Sequence, residues 1–168
     1  MAQGIVLGIC IALERRGEMI PQEDVVAIAG KGLAGDRYAA GNGSYNQGDV
    51  GKRQLTLMHE AAFARQSEYT FPQSRRNLLI GGDEIELTWL FSKGHTLEIP
   101  GGPILRLVGY CDPCHVPTKL AGKSRDVSFR KLFWECGGFI ADVIRGGPIH
   151  VGDIVTAPSK GYGMKWEE

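Results

Sequence analysis

The chain has no net charge, no membrane-length apolar run and no charged leader, and each absence removes a class of function. Lysine plus arginine and aspartate plus glutamate both number 19 in 168 residues. A nucleic-acid-binding domain carries a strongly basic face, so this balance argues against nucleic acid as a partner. It also removes support for binding to an anionic membrane surface. The longest apolar candidate, Ile5 to Leu13, runs into Glu14-Arg15-Arg16 and falls well short of the ~20 residues of a membrane span. An export signal needs basic side chains ahead of its apolar run, and Met1-Ala2-Gln3-Gly4 supplies none. The expectation is a soluble, cytoplasmic protein.

Other absences exclude named chemistries. There is no G-x-x-x-x-G-K-[ST] phosphate loop, and the glycines do not sit between a strand and a helix as a dinucleotide fingerprint requires. No serine occupies a G-x-S-x-G elbow, which disfavours an α/β-hydrolase. His59, His95 and His150 are scattered, with no helical H-x-x-x-H pair. Four cysteines occur (Cys10, Cys111, Cys114, Cys136), but only two of them are paired by spacing.

What is abundant is glycine, 24 residues, about twice the usual share. No G-X-Y period appears, so the glycines point to tight turns, bulges and short strands. Strands are predicted over Gly4–Leu13, Val25–Ala29, Gln54–Met58, Asn77–Ile80, Leu97–Ile99, Ile104–Val108 and Phe139–Ile144. A last one, Ile149–Val155, is interrupted at Gly152-Asp153. His59–Tyr69 has helical composition, while Glu84–Leu90 is ambiguous. Phe129, Leu132, Phe133 and Cys136 fall at i, i+3, i+4 and i+7, one helical face that Gly137-Gly138 would stop. Gly30–Gly51 is a long glycine-rich loop, functional or disordered by its length, and its composition predicts mobility. The sum is one mostly-β (α+β) domain over residues 1–168, a barrel with a few peripheral helices, its core spanning about 4–155 and its tail 156–168.

Three constellations could carry chemistry. The sharpest is Cys111-Asp112-Pro113-Cys114-His115. Its spelling matches c-type haem attachment, but that attachment follows export. Zinc would want a second ligand pair. A thioredoxin-like disulfide would want a helix directly after the pair, where Pro117 stands. A single reactive thiolate in a pocket, serving as nucleophile, sulfur carrier or soft-metal ligand, needs neither; two structural cysteines on a turn also fit. The second constellation is Gly35-Asp36-Arg37, where glycine admits an anion to the backbone and arginine can grip phosphate, or where a turn simply carries an ion pair. The third is Arg75-Arg76-Asn77 at a strand mouth, two cations suited to a phosphate or carboxylate, or a solvated strand start.

Taken in order, these pieces resemble the MOSC domain, named for the C-terminal part of molybdenum-cofactor sulfurases. The resemblance rests on Gly35-Asp36-Arg37, the strand Gln54-Leu55-Thr56-Leu57, Arg76-Asn77 with Gly82, Pro113-Cys114, and the closing Gly146, Gly147, Gly152 and Asp153. It implies a β-barrel-like fold and association with the molybdenum cofactor (molybdopterin). It implies that Cys114 carries sulfur or ligates molybdenum, while Cys111 is extra. Asp36, Arg37, Arg76, Asn77 and Cys111 would then surround the cofactor, with Arg37 or Arg76 serving both its phosphate and Cys114. Relatives sulfurate the cofactor or reduce N-hydroxylated compounds. This chain shows neither a pyridoxal-phosphate domain, nor the N-terminal β-barrel domain of the amidoxime-reducing relatives, nor a ferredoxin cysteine set. A separate sulfur or electron donor protein is therefore expected beside a small-molecule substrate or cofactor. The alternatives are a carrier of the cofactor or of a sulfur compound without turnover, and a cofactor-free thiol enzyme.

Overall fold

The computed structural model describes residues 1–158. Along them run β1 (Ala2–Ile11), β2 (Ile20–Pro21), β3 (Asp24–Ile28), β4 (Gly32–Leu33) and β5 (Leu55–His59). Then follow α1 (Phe71–Ser74), β6 (Leu78–Gly81), α2 (Leu87–Lys93), β7 (Thr96–Glu98) and β8 (Ile104–Tyr110). The chain ends through α3 (Val116–Leu120), α4 (Phe129–Leu132), β9 (Phe139–Arg145), β10 (Gly147–His150) and β11 (Ile154–Ala157). Seven strands close a barrel in the order β1-β11-β7-β8-β9-β5-β6 and back to β1. Every pairing in it is antiparallel except β5–β6. A small sheet, β10-β3-β4, packs alongside. No helix among the described residues is long and apolar enough to cross a membrane.

Side-chain alternation decides what fills the barrel. On β9, Phe139, Ala141 and Val143 face the core, and on β8, Leu105 and Leu107 do. β1 is instructive, because Val6, Ile9 and Ile11 all point inward. An even and two odd positions share a face only if the register slips, and β1 slips against β6 between Val6 and Gly8. β5 is buried on both faces. Leu55 and Leu57 enter the barrel, while Met58 joins an outer cluster with Tyr69, Phe129 and Phe133. Thr56 is buried too, and its backbone N–H donates to the Asn77 side-chain oxygen at 3.0 Å.

Both predicted helices shrink. His59–Tyr69 forms only a 3-10 turn at Glu60–Ala62, which the His59 ring accepts into at its start. Few of its residues are buried, and a short segment without an apolar stripe gains too little from packing to hold a helix. From the predicted 129–136 helix one turn survives, α4, with Phe129 and Phe133 fully buried. Glu135 adopts φ 72, so Cys136 leaves the helical path before the glycines are reached. The ambiguous segment resolves into α2 from Leu87, with the Glu86 side chain capping its first turn. The final strand divides into β10 and β11. β11 reaches Ala157, inside the segment read as a tail from 156; residues 159–168 of that tail lie outside the described residues.

The 30–51 loop is pinned rather than free. Asn46, 1% exposed, donates to the Tyr38 and Arg53 carbonyls and accepts from the Gly43 N–H. Asp36 accepts from the backbone N–H groups of Ala12 and Tyr38, tying the loop to the end of β1.

Candidate functional site

The pinned loop, the C-terminus of α1 and the segment between β8 and α3 converge on a cavity of about 290 Å³. Five arginines line it, Arg16, Arg37, Arg53, Arg75 and Arg76, against one carboxylate, Asp112. Cys111 and Cys114 line it too. Cys111 is buried and Cys114 partly exposed.

The arginines divide by what holds them. Arg37 forms a buried ion pair with Asp36 at 3.0 Å and donates to the Met19 sulfur and the Arg75 carbonyl. Its guanidinium also lies 4.3 Å from the centre of the Tyr38 ring. Arg76, 5% exposed, donates to three backbone oxygens: Gly137 at 2.7 Å, Cys111 at 3.1 Å and Ser74 at 3.2 Å. Both are braced for position. Arg75 is different. It caps α1 in the left-handed region at φ 64, and its guanidinium donates to the Gly17 carbonyl at 2.7 Å. Burial, then repulsion from Arg37, pulls its guanidinium down to about 10, still cationic at neutral pH. Arg53 stacks 4.4 Å over the Tyr45 ring and reaches the Cys111 sulfur at 3.8 Å.

Tyr45 completes the thiol's surroundings. It lines the cavity with Cys114, and its interaction with that thiol, followed by burial, pushes the phenol up to about 12. At neutral pH it is a protonated donor beside the sulfur. The other two cysteines lie elsewhere. Cys10 packs with Ala12 and Met19, and burial pushes its thiol up to about 11. Cys136 faces a second, larger cavity of about 740 Å³, across the wall formed by Tyr110–Pro113. Burial raises the Cys136 thiol despite the opposing charge of Arg65. Among the described residues no group of three or more His, Cys, Asp or Glu could hold a metal ion, so a protein-only zinc site has no ligand set there.

Of the residues singled out in the sequence, Cys111, Cys114, Arg37 and Arg76 line the cavity. Asp36 and Asn77 do not. Asp36 orients Arg37; Asn77 accepts from Thr56 and donates to the Cys10 carbonyl at 3.1 Å, stapling β1, β5 and β6. The guanidinium that reaches a cysteine sulfur belongs to Arg53, not to Arg37 or Arg76, and the sulfur is that of Cys111. Arg16, Arg53 and Tyr45 escaped the sequence reading. Arg53 had a usable signal, standing at the mouth of a strand just as Arg75-Arg76 do. Arg16 and Tyr45 reach the cavity only through the fold.

A family model described as the MOSC domain matches residues 49–156. A search by sequence among curated proteins finds no match. Among solved structures, the YuaD protein from Bacillus subtilis is similar at TM-score 0.71 and 17% identity, covering 94% of this chain and 97% of that one. YiiM from Escherichia coli is similar at TM-score 0.55 and 16% identity, over 93% and 70%. YiiM from Geobacillus stearothermophilus gives 0.52 and 15%, over 95% and 75%. At such identities the likeness is one of fold.

Proposed function

Because the chain belongs to the MOSC domain family, we propose that it works with the molybdenum cofactor as a sulfur-transfer protein whose sulfur-carrying atom is Cys114 Sγ. The observation that carries this reading is one partly exposed thiol in a cavity lined by five arginines. The donor set suits the cofactor. A phosphate is gripped well by guanidinium groups, and a soft metal is a natural neighbour of sulfur. Among the described residues there is no protein ligand cluster, so a metal held here would have to bring its own ligands. When bound, the cofactor would supply that metal centre and its redox chemistry.

The chain's own residues have separate tasks. Arg75, Arg53 and Arg16 hold the anionic end. Arg37 fixes Arg75 through its carbonyl, and Arg76 fixes the segment after β8 through the Cys111 carbonyl. Cys114, as thiolate, attacks the outer sulfur of a donor persulfide. The donor's S–S bond breaks, a bond to Cys114 Sγ forms, and the donor leaves as a thiolate. Tyr45 donates its hydroxyl proton in a hydrogen bond toward that sulfur.

Two measurements test this together. Elemental mass spectrometry of protein from a host that makes the cofactor should find molybdenum, and Arg53→Gln with Arg75→Gln should lose it. Incubation with a persulfide donor should transfer one sulfur to Cys114, read as a retained persulfide or as released sulfide, and Cys114→Ser should give neither. Absence of both signals overturns the reading. Molybdenum without sulfur loading, with turnover of an N-hydroxylated compound by an added electron donor, would replace it with a reductase.

A further inference from the structure

Resting on that sulfur-transfer reading, we propose that Cys111 is the resolving thiol: it attacks Cys114 Sγ of the persulfide, closes a Cys111–Cys114 disulfide and releases the carried sulfur as sulfide. The two sulfurs differ in access but share one cavity. Cys114 is partly exposed, so an external donor can reach it, whereas Cys111 is 4% exposed and faces the cavity from within. That is the division expected of a loading thiol and a resolving thiol. Arg53 stands between them: it donates to Cys111 Sγ at 3.8 Å and stacks on Tyr45, which lines the same cavity as Cys114. A sulfur anion at Cys111 therefore has a cation at hydrogen-bond distance.

The backbone holds Cys111 in place from both sides of its peptide. The Cys111 N–H donates to the Gly138 carbonyl at 2.9 Å and its carbonyl accepts from Arg76. A Cβ on Gly137 would stand 2.5 Å from the Cys111 oxygen, so only glycine lets the bend before β9 pack so close. Asp112 to Cys114 form no regular element, and two intervening residues make a short ring to close. No other cysteine is placed for the task. Cys10 sits in a separate core cluster, and Cys136 shares the second cavity with Cys111 but does not line the one that holds Cys114.

Electron balance gives the second thiol its purpose. The outer sulfur of a persulfide is at the sulfane level and must gain two electrons to depart as sulfide. In Cys114–S–SH plus Cys111–S⁻ giving Cys114–S–S–Cys111 plus HS⁻, the persulfide S–S bond breaks and the disulfide S–S bond forms. The two cysteine sulfurs supply both electrons. A dithiol reductant then restores the pair by thiol–disulfide exchange, its own sulfurs becoming the disulfide.

The test is single-turnover loading with inorganic polysulfide, followed by desalting, sulfide assay and peptide mass mapping without added thiol. Wild type should release sulfide and finish with a Cys111–Cys114 disulfide, two hydrogens lighter than the reduced chain. Cys111→Ala should hold the added sulfur on Cys114 and release it on the order of 10-fold more slowly or worse. Release from Cys111→Ala at the wild-type rate overturns the resolving role while leaving Cys114 as the sulfur acceptor. No added sulfur on Cys114 in either protein removes the sulfur-transfer reading and this inference with it. Diamide oxidation of the unmutated protein reads the pair without any variant: a mapped Cys111–Cys114 disulfide supports the role, and failure to form one refutes it.

Discussion

Arg75 and Cys10 are both buried where the charged form is disfavoured, and the protein's response to pH and to anions follows from them. Arg75 is pulled down to about 10 by burial and by Arg37. The folded chain thus holds that proton less tightly than the unfolded one, an unfavourable contribution at neutral pH that fades only as pH rises above about 10. An anion against Arg75 relieves it at neutral pH. Inorganic phosphate should therefore raise the melting temperature, and Arg75→Gln should lose most of the rise; an equal rise in both proteins refutes the role of Arg75. Cys10 has the opposite sign. Its thiol, raised to about 11 from 9.0, contributes stability that is complete below pH 9 and is lost as pH climbs through 11. Stability to urea across that window should fall less steeply in Cys10→Ala than in wild type. Alkylation at pH 8 should mark Cys114 first and leave Cys10 untouched until unfolding.

Among elements, β5 and β6 follow directly on the segments that bring Arg53 and Arg75-Arg76 to the site. They are the parallel pair of the barrel, and Asn77 stitches them to β1 with a fully buried amide. Asn77→Ala removes that amide and leaves the Thr56 N–H and the Cys10 carbonyl short of a partner, at about 1–3 kcal/mol per stranded group. Urea denaturation should show a loss in that range, and a midpoint unchanged from wild type would contradict the staple. Gly138 has φ 93, and a Cβ there would meet the Leu57 carbonyl at 2.2 Å. Gly138→Ala should destabilise by more than about 2 kcal/mol.

The strands were legible in the sequence because alternation is a local signal. Most of them were read to within a few residues. The β1 bulge was not, since a parity change shows only against a neighbour. The 59–69 helix was misread because alanine content describes propensity, whereas the missing apolar stripe decided the outcome. At the site, the cysteine pair and the arginine at 37 could be found by spelling. Asp36 and Asn77 were recognised as special but belong to the scaffold. Arg16 and Tyr45 arrive from loops that only the fold brings together.

At the scale of the molecule, charges that cancel along the chain are sorted in space. The chain is neutral overall, yet one cavity collects five arginines and a single aspartate. Anion affinity should fall as ionic strength shortens the screening length to about 8 Å and below, and a salt-independent affinity would mean that the arginines are not the contacts. The barrel's closure has another consequence. β1 pairs with β6 on one side and β11 on the other. On the ribosome, its second edge stays open until residues 154–157 have emerged, after nearly every other strand has been made. Nascent chains stalled short of that point should expose a pairing-competent edge and be the form that chaperones capture and proteases clear.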